Sequence, residues 1–253
     1  MERTPKEKLP RRIGILSQTT KPLKEFYAFV DEILSSSLGE LLEVRIINTI
    51  CSPDLEVIIV DDGSRDGTGR LVDKLAQKYD QVVAIHHLFN RGYGATLRTG
   101  FEAARGDLIF FTDADGQFDI KELTRLTEMI KEGADIACGY RMKRADRWMR
   151  KVNAGIYNLL VRFLFGIKIK DIDCAFKLFK RKVIDNIKLT SDGAFINAEF
   201  LILASKKGYV IKQIGVSHFP RREGKQTGNN IAVVLRAFLE LFRFWRKIRK
   251  RKI

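Results

Sequence analysis

Apolar residues along this chain follow two rhythms. Short unbroken runs, Val57-Ile58-Ile59-Val60 and Leu108-Ile109-Phe110-Phe111, suit strands buried on both faces of a sheet. Between and after them, apolar positions recur at helical spacing: Leu71, Val72, Leu75 and Ala76; Ala95, Phe101 and Ala104; Leu123, Leu126 and Ile130. Val82–Ile85 and Ala134–Cys138 read as two further short strands. Strands alternating with helices predict a mostly parallel sheet with helices on both faces. The first 53 residues are less regular. Phe26, Phe29, Val30, Ile33 and Leu34 keep helical spacing until Ser35–Ser37 break it, and Leu41–Ile50 fits helix or strand.

The polar residues that end the strands change the picture from fold to chemistry. The first strand stops in Asp61-Asp62-Gly63-Ser64-Arg65-Asp66-Gly67-Thr68, acids at the carboxyl end of a strand, where open α/β sheets bind ligands. The Leu108 run stops in Asp113-Ala114-Asp115, whose two carboxylates point the same way while the chain stays extended. Two such carboxylates are costly unless a positive group sits between them. A divalent cation holding a diphosphate is the natural candidate; a solvated acidic turn is the plain alternative. Asn90-Arg91-Gly92-Tyr93-Gly94 precedes a helix, so its backbone amides either approach a phosphate or form a tight turn.

Composition narrows the class. The 253 residues suffice for one domain, or one domain with a C-terminal appendage, and 45% hydrophobic residues are a globular value. A net charge of +15 calls for anionic partners without saying which. Three scattered cysteines, Cys51, Cys138 and Cys174, form neither a disulfide framework nor a metal site and suit a reducing cytoplasm. No secretory signal and no apolar run long enough to span a bilayer is present.

Taken together, IIVDDGSRDGT at 58–68, NRGYGA at 90–95, FTDADGQFD at 111–119, DIDCAFKLF at 171–179 and FPRREGKQTG at 219–228 resemble family 2 glycosyltransferases. The likeness is greatest to the dolichyl-phosphate mannose synthase-like and polyprenyl-phosphate sugar transferase branch, over roughly residues 54–242. The resemblance implies an α/β, GT-A-like (Rossmann-type) mostly parallel sheet flanked by helices, a nucleotide-sugar donor, Mg²⁺ or Mn²⁺, and inversion at the sugar carbon.

Carried over residue by residue, the resemblance makes Asp61 and Asp62 the acids for the donor base and ribose, joined on the donor side by Gly63, Asn90 and Gly92. Asp113 and Asp115 become the Asp-x-Asp metal and diphosphate motif. Arg221, Arg222 and Lys225 fall in a basic segment expected to close on the donor diphosphate or acceptor phosphate, as a cationic clamp on developing charge. A solvated loop is the alternative there. Arg141 and Arg144, in the cluster Arg141–Lys151, are acceptor-phosphate candidates, or part of a generic basic surface. Asp173 is placed on the acceptor side with Asp171, and Asp192 or Glu199 is a candidate base or sugar orienter; turn and capping roles would also explain these acids. His218 reads as a packed histidine rather than a metal ligand.

Beyond residue 228, Ile231, Leu235, Phe238, Phe242 and Trp245 fall on one helical face, opposite Arg236, Glu240, Arg243, Lys247 and Lys250. Such a C-terminal amphipathic helix, ending in RKIRKRK, suits an anionic membrane surface; packing on the domain is the alternative. The expected organisation is an atypical segment 1–53, a GT-A-like domain 54–228 and a basic helix and tail 229–253. One departure stands out: residues 1–53 lack the family's apolar strand ending in a Pro-x-Tyr-Asn-Glu-Glu-like loop, and Ile13-Gly14-Ile15-Leu16 is a poor match.

The leading expectation is an inverting, metal-dependent hexosyltransferase acting from a GDP-mannose or UDP-glucose type donor onto a polyprenyl phosphate, peripheral on the cytoplasmic face of the plasma membrane. A saccharide hydroxyl acceptor in cell-surface polysaccharide synthesis, or a non-catalytic nucleotide-sugar- or lipid-binding relative, are the alternatives. Nucleic acid is not an expected partner, because it would explain the charge but not the ordered Asp motifs.

Overall fold

The computed structural model describes residues 13–18, 55–65, 67–113, 117–142, 148–220 and 231–251. Among these, seven strands form one sheet in the order β3-β2-β1-β4-β6-β5-β7. The strands are β1 (Ile13–Gln18), β2 (Leu55–Asp61), β3 (Val82–His86), β4 (Leu108–Thr112), β5 (Ile136–Arg141), β6 (Phe176–Lys180) and β7 (Ile211–Val216). β6 runs antiparallel to both its neighbours, β4 and β5, and every other pairing is parallel. The helices are α1 (Thr68–Lys78), α2 (Tyr93–Ala103), α3 (Leu123–Lys131), α4 (Trp148–Phe165), α5 (Arg181–Asp185), α6 (Ile196–Lys206) and α7 (Ile231–Arg251).

Strand periodicity divides the apolar runs between two cores. Leu108 and Phe110 of β4 join Val57 and Ile59 of β2 on the face covered by α1 and α3, with Leu71, Val72, Leu75, Leu123, Leu126 and Ile130. Ile109 and Phe111 join Ile58 and Val60 on the other face, covered by α2, α4, α6 and α7. Each such buried side chain contributes about 1.5–3 kcal/mol of transfer free energy. Aromatic rings knit both layers: Phe101 meets Phe111 edge-on at 5.6 Å, and Phe110 meets Phe176 at 4.9 Å.

Two elements depart from the sequence reading. Residues 13–18, set outside the domain above, supply an interior strand of the sheet, paired in parallel with β2 on one side and β4 on the other. The physical reason is backbone satisfaction: β2 and β4 each need a partner along that edge, and a six-residue strand provides it whatever its flanking sequence. The second is α7. Its Phe238, Leu241, Phe244 and Ile248 pack onto the core beneath, whereas Leu235, Leu239 and Phe242 face outward. The apolar stripe Leu235, Phe238 and Phe242 is therefore split between the two readings, because Phe238 turns inward against Tyr157 of α4 at 5.5 Å while Leu235 and Phe242 are exposed.

Candidate active site

The carboxyl ends of β2 and β4 carry the acids, and β3 ends in His86, followed by His87. Asp61 and Asp62 close β2, and both are nearly buried, yet their surroundings differ. Asp61 accepts the Ser64 amide at 3.1 Å and meets His86 Nδ1 at 3.3 Å. His86 Nε2 in turn lies 2.9 Å from Asp73. Burial opposes the charged imidazole, but the hydrogen bonds and charges of Asp61 and Asp73 outweigh it and raise the His86 pKa. Ser64, Arg65, Arg70, Asp73 and His86 line an open cleft of about 400 Å³ beside this cluster.

Asp62 acts as an internal anchor. Its Oδ1 accepts the Arg91 amide at 2.8 Å and lies 2.7 Å from His87 Nδ1, while Oδ2 accepts the Gly92 amide at 2.8 Å. His87 is steadied from its other nitrogen by Thr99 at 2.9 Å. The carboxylate so holds the Asn90–Gly92 turn that the sequence reading placed on the donor side. Asn90 is exposed at the head of that turn, and Gly63 sits half-buried in the loop after β2.

The turn is also pressed from outside. Gly92 has φ of 97°, and an added Cβ would lie 2.8 Å from the Asp192 carbonyl oxygen. The Gly94 amide donates to that same carbonyl at 2.8 Å. A Cβ on Gly94 would come within 2.5 Å of the Ser191 carbonyl oxygen. Only glycine lets the 191–193 loop sit this closely on the start of α2. Arg98 of α2 grips the loop through the Ser191 carbonyl and the Asp192 carboxylate. Glu199, 1% exposed in the first turn of α6, accepts both the Thr190 and Ser191 amides and the Thr190 hydroxyl. Of the two acids read as a base or orienter, Glu199 is consumed in holding the loop, and Asp192 is ion-paired at the surface.

Asp113 follows β4, half-buried at the strand's carboxyl end. Gln117, just past it, exchanges two hydrogen bonds with Phe219: its side chain donates to the Phe219 carbonyl at 3.0 Å, and the Phe219 amide donates to the Gln117 carbonyl at 2.8 Å. Glu122 accepts the Ser217 amide at 2.8 Å. The chain that precedes residues 221–225 is thereby tied to Gln117 and Glu122, and His218 packs on the Phe118 ring at 5.3 Å.

Arg141 ends β5, and Asp173 lies in the stretch before β6. Arg141 is bound at two points by Asp171, both side chains being under a tenth exposed. That partner, not a free guanidinium, is what the structure places at this position. Asp173 lies near Tyr157, whose hydroxyl pKa is pushed up by burial and then by the charges of Asp173 and Glu240. Asp115, Arg144, Arg221, Arg222 and Lys225 lie outside the described residues, as do Phe26–Leu34 and Leu41–Ile50.

Four side chains were not singled out for these contacts by the sequence reading. His87, Arg98 and Glu240 carry no local motif. Lys177 does: a lone lysine inside the apolar run Phe176–Phe179 is fully buried, donating to the Cys174 carbonyl and to Asn197 Oδ1. Asn197 passes the contact to the Tyr93 hydroxyl at 3.3 Å, beside Gly92 and Gly94.

Residues 32–188 match the family model described as glycosyl transferase family 2. The chain is 33% identical over 193 residues to the polyprenol monophosphomannose synthase of Mycolicibacterium smegmatis, covering 71% of this chain and 73% of that protein. It is 34% identical over 178 residues to an undecaprenyl-phosphate 4-deoxy-4-formamido-L-arabinose transferase of Aeromonas hydrophila, covering 69% of this chain but only 53% of that one. Among solved structures it resembles a Pyrobaculum calidifontis mannosyltransferase in complex with GDP-Man and Mn²⁺ (TM-score 0.58, 17% identity, 85% of this chain and 59% of that one). It also resembles the Mycobacterium tuberculosis glucosyl-3-phosphoglycerate synthase in complex with Mn²⁺, UDP and phosphoglyceric acid (TM-score 0.64, 15% identity, 93% of this chain and 78% of that one). The fold is accordingly GT-A-like.

Proposed function

From a chain that belongs to glycosyl transferase family 2, we propose a polyprenyl-phosphate hexosyltransferase that uses a nucleotide diphosphate sugar of the GDP-mannose or UDP-glucose type. The observation that supports this reading is the pair of hydrogen bonds between Gln117 and Phe219, which joins the chain just before residues 221–225 to the chain just after the Asp113-x-Asp115 motif. In this reading the cations that reach a diphosphate and the carboxylates that hold its metal flank that link along the chain.

In this reading a phosphate oxygen of the lipid attacks the sugar's anomeric carbon as the bond to the nucleoside diphosphate breaks. The lipid phosphate is already anionic, so no general base is required, consistent with Glu199 being buried in loop contacts and Asp192 paired to Arg98. Arg221, Arg222 and Lys225 neutralise charge on the leaving diphosphate and the acceptor, and Arg144 orients the acceptor phosphate. Asp113 and Asp115 supply hard oxygen ligands that fit Mg²⁺ or Mn²⁺. That ion, when bound, neutralises the diphosphate. Asp61, Gly63, Asn90 and Gly92 border the donor, with Asp62 holding their turn in place. Arg141, through Asp171, and Asp173 shape the acceptor side.

The acceptor's lipid nature places the reaction at a membrane surface. Among the described residues no helix is long and apolar enough to cross a bilayer. Outward-facing Leu235, Leu239 and Phe242 of α7, with Val152, Ile156, Leu159 and Phe163 of α4, support peripheral contact. Basic Arg243, Arg246, Lys247 and Lys250 lie along the same α7 and suit anionic headgroups.

Isothermal calorimetry with GDP and UDP, each with and without Mn²⁺, tests the donor half directly. Metal-dependent binding of one nucleotide is the expected result. No binding of either would overturn the catalytic reading and favour a non-catalytic relative.

A further inference from the structure

Resting on that reading of the site, we propose that Glu240 of the C-terminal helix is a positioning residue for the 190–193 loop and, through it, for the Gly92–Gly94 turn on the donor side. Glu240 Oε2 accepts the Ser191 hydroxyl at 3.0 Å, and Oε1 meets Arg236 Nε at 3.0 Å one helical turn earlier. The Ser191 hydroxyl oxygen also lies 3.3 Å from the Gly193 amide, so the serine relays the contact into the loop's own backbone. Gly193 has no room to spare: a Cβ there would lie 3.1 Å from Glu240 Oε2.

Three helices therefore clamp one short loop, each by a different polar contact. Glu199 of α6 takes the Thr190 and Ser191 amides, Arg98 of α2 takes the Ser191 carbonyl and Asp192, and Glu240 of α7 takes the Ser191 hydroxyl. From the loop the contacts continue to Gly94, whose amide donates to the Asp192 carbonyl, and the Gly92 amide donates to Asp62 at the end of β2. Hydrogen bonds joined by short stretches of backbone thus run from α7 to the carboxyl end of the sheet. All three clamping helices pack on the core, α7 through Phe238, Leu241 and Phe244. α7 also bears outward Leu235, Leu239 and Phe242 on the face away from its clamp.

The test compares Glu240→Ala, Glu240→Gln, Ser191→Ala and the double variant Glu240→Ala/Ser191→Ala in the full chain. Amide hydrogen exchange is read at Gly94, Ser191 and Gly193; nucleotide affinity by calorimetry with GDP and UDP; and turnover with an undecaprenyl phosphate acceptor. Glu240→Ala is expected to speed exchange at all three amides and to lower kcat/KM by roughly tenfold or more, the scale of a lost hydrogen bond to a charged group. Glu240→Gln keeps an acceptor oxygen for Ser191 and is expected to recover most of the loss. The double variant is expected to lose less than the sum of the two single effects, since both substitutions remove the same Glu240–Ser191 contact. Unchanged exchange at Gly94, additive effects of the two substitutions, or faster exchange with wild-type nucleotide affinity and turnover would each overturn the proposal. If the unsubstituted chain neither binds nucleotide nor transfers sugar, the hexosyltransferase reading falls, while exchange at Gly94 still decides whether Glu240 positions the loop.

Discussion

Arg141 and Asp171 meet as a two-point pair, Nε to Oδ2 at 2.6 Å and Nη2 to Oδ1 at 2.7 Å, at the end of β5. The Arg141 backbone amide adds a third contact to the same carboxylate at 3.3 Å. Removing one member of such a buried pair leaves an uncompensated charge, at a cost of about 3–5 kcal/mol. Asp171→Ala is therefore expected to destabilise the fold by that amount. Arg141→Lys should also be costly, because an ammonium cannot reproduce the two-point geometry. Urea unfolding followed by circular dichroism measures both, and a change below about 1 kcal/mol in Asp171→Ala would show the pair to be dispensable.

Asp115→Asn is expected to leave the fold intact and to abolish both Mn²⁺-dependent nucleotide binding and turnover, because a neutral amide is a poorer ligand for a hard divalent cation. Calorimetry against the unsubstituted chain gives the answer. Full activity in the variant would remove the Asp motif from the metal site.

Gly94→Ala tests the close approach of the 191–193 loop. Its Cβ would fall within 2.5 Å of one carbonyl oxygen and 2.8 Å of another, so the loop must shift. The expected outcome is a loss of about 1–3 kcal/mol, the scale of overpacking, together with weaker nucleotide binding. Wild-type melting temperature and affinity would show that the loop adapts freely.

His86 ties stability to pH. Its folded pKa is raised above the ordinary value of 6.5, so the charged form is favoured in the folded state. The stabilisation is fully present below the unfolded pKa and is lost as pH rises through the folded one. A decline in stability beginning near pH 6.5 and continuing upward is expected, and His86→Gln should remove this part of the profile. An identical pH profile in the variant would assign the dependence elsewhere.

Leu239→Glu places a charge on the outward face of α7 without touching the packed row Phe238, Leu241 and Phe244. Binding to vesicles containing phosphatidylglycerol should weaken, with the melting temperature unchanged. Vesicle co-sedimentation equal to that of the unsubstituted chain would sink the peripheral-contact reading.

Much of this protein was legible one-dimensionally, and the reason is local. β2 and β4 are continuous apolar runs, and α1 and α3 carry Leu71, Val72, Leu75 and Leu123, Leu126, Ile130 at helical spacing, so burial on both faces of a sheet writes itself into the composition. The acids that end β2 and β4 follow from the same segments, as does the likeness to a glycosyltransferase family, which depends on motifs that are each contiguous. What tertiary structure alone decided is pairing across distance. Residues 13–18 became an interior strand because β2 and β4 needed backbone partners, a demand invisible in their own six residues. Asp61 and Asp62 are neighbours in sequence, yet one was drawn to His86 and the other to His87, Arg91 and Gly92. Arg141 found Asp171 thirty positions on, and Glu240 found Ser191 forty-nine positions back. A charged side chain carries no periodicity that names its partner, and packing is what brings the two together.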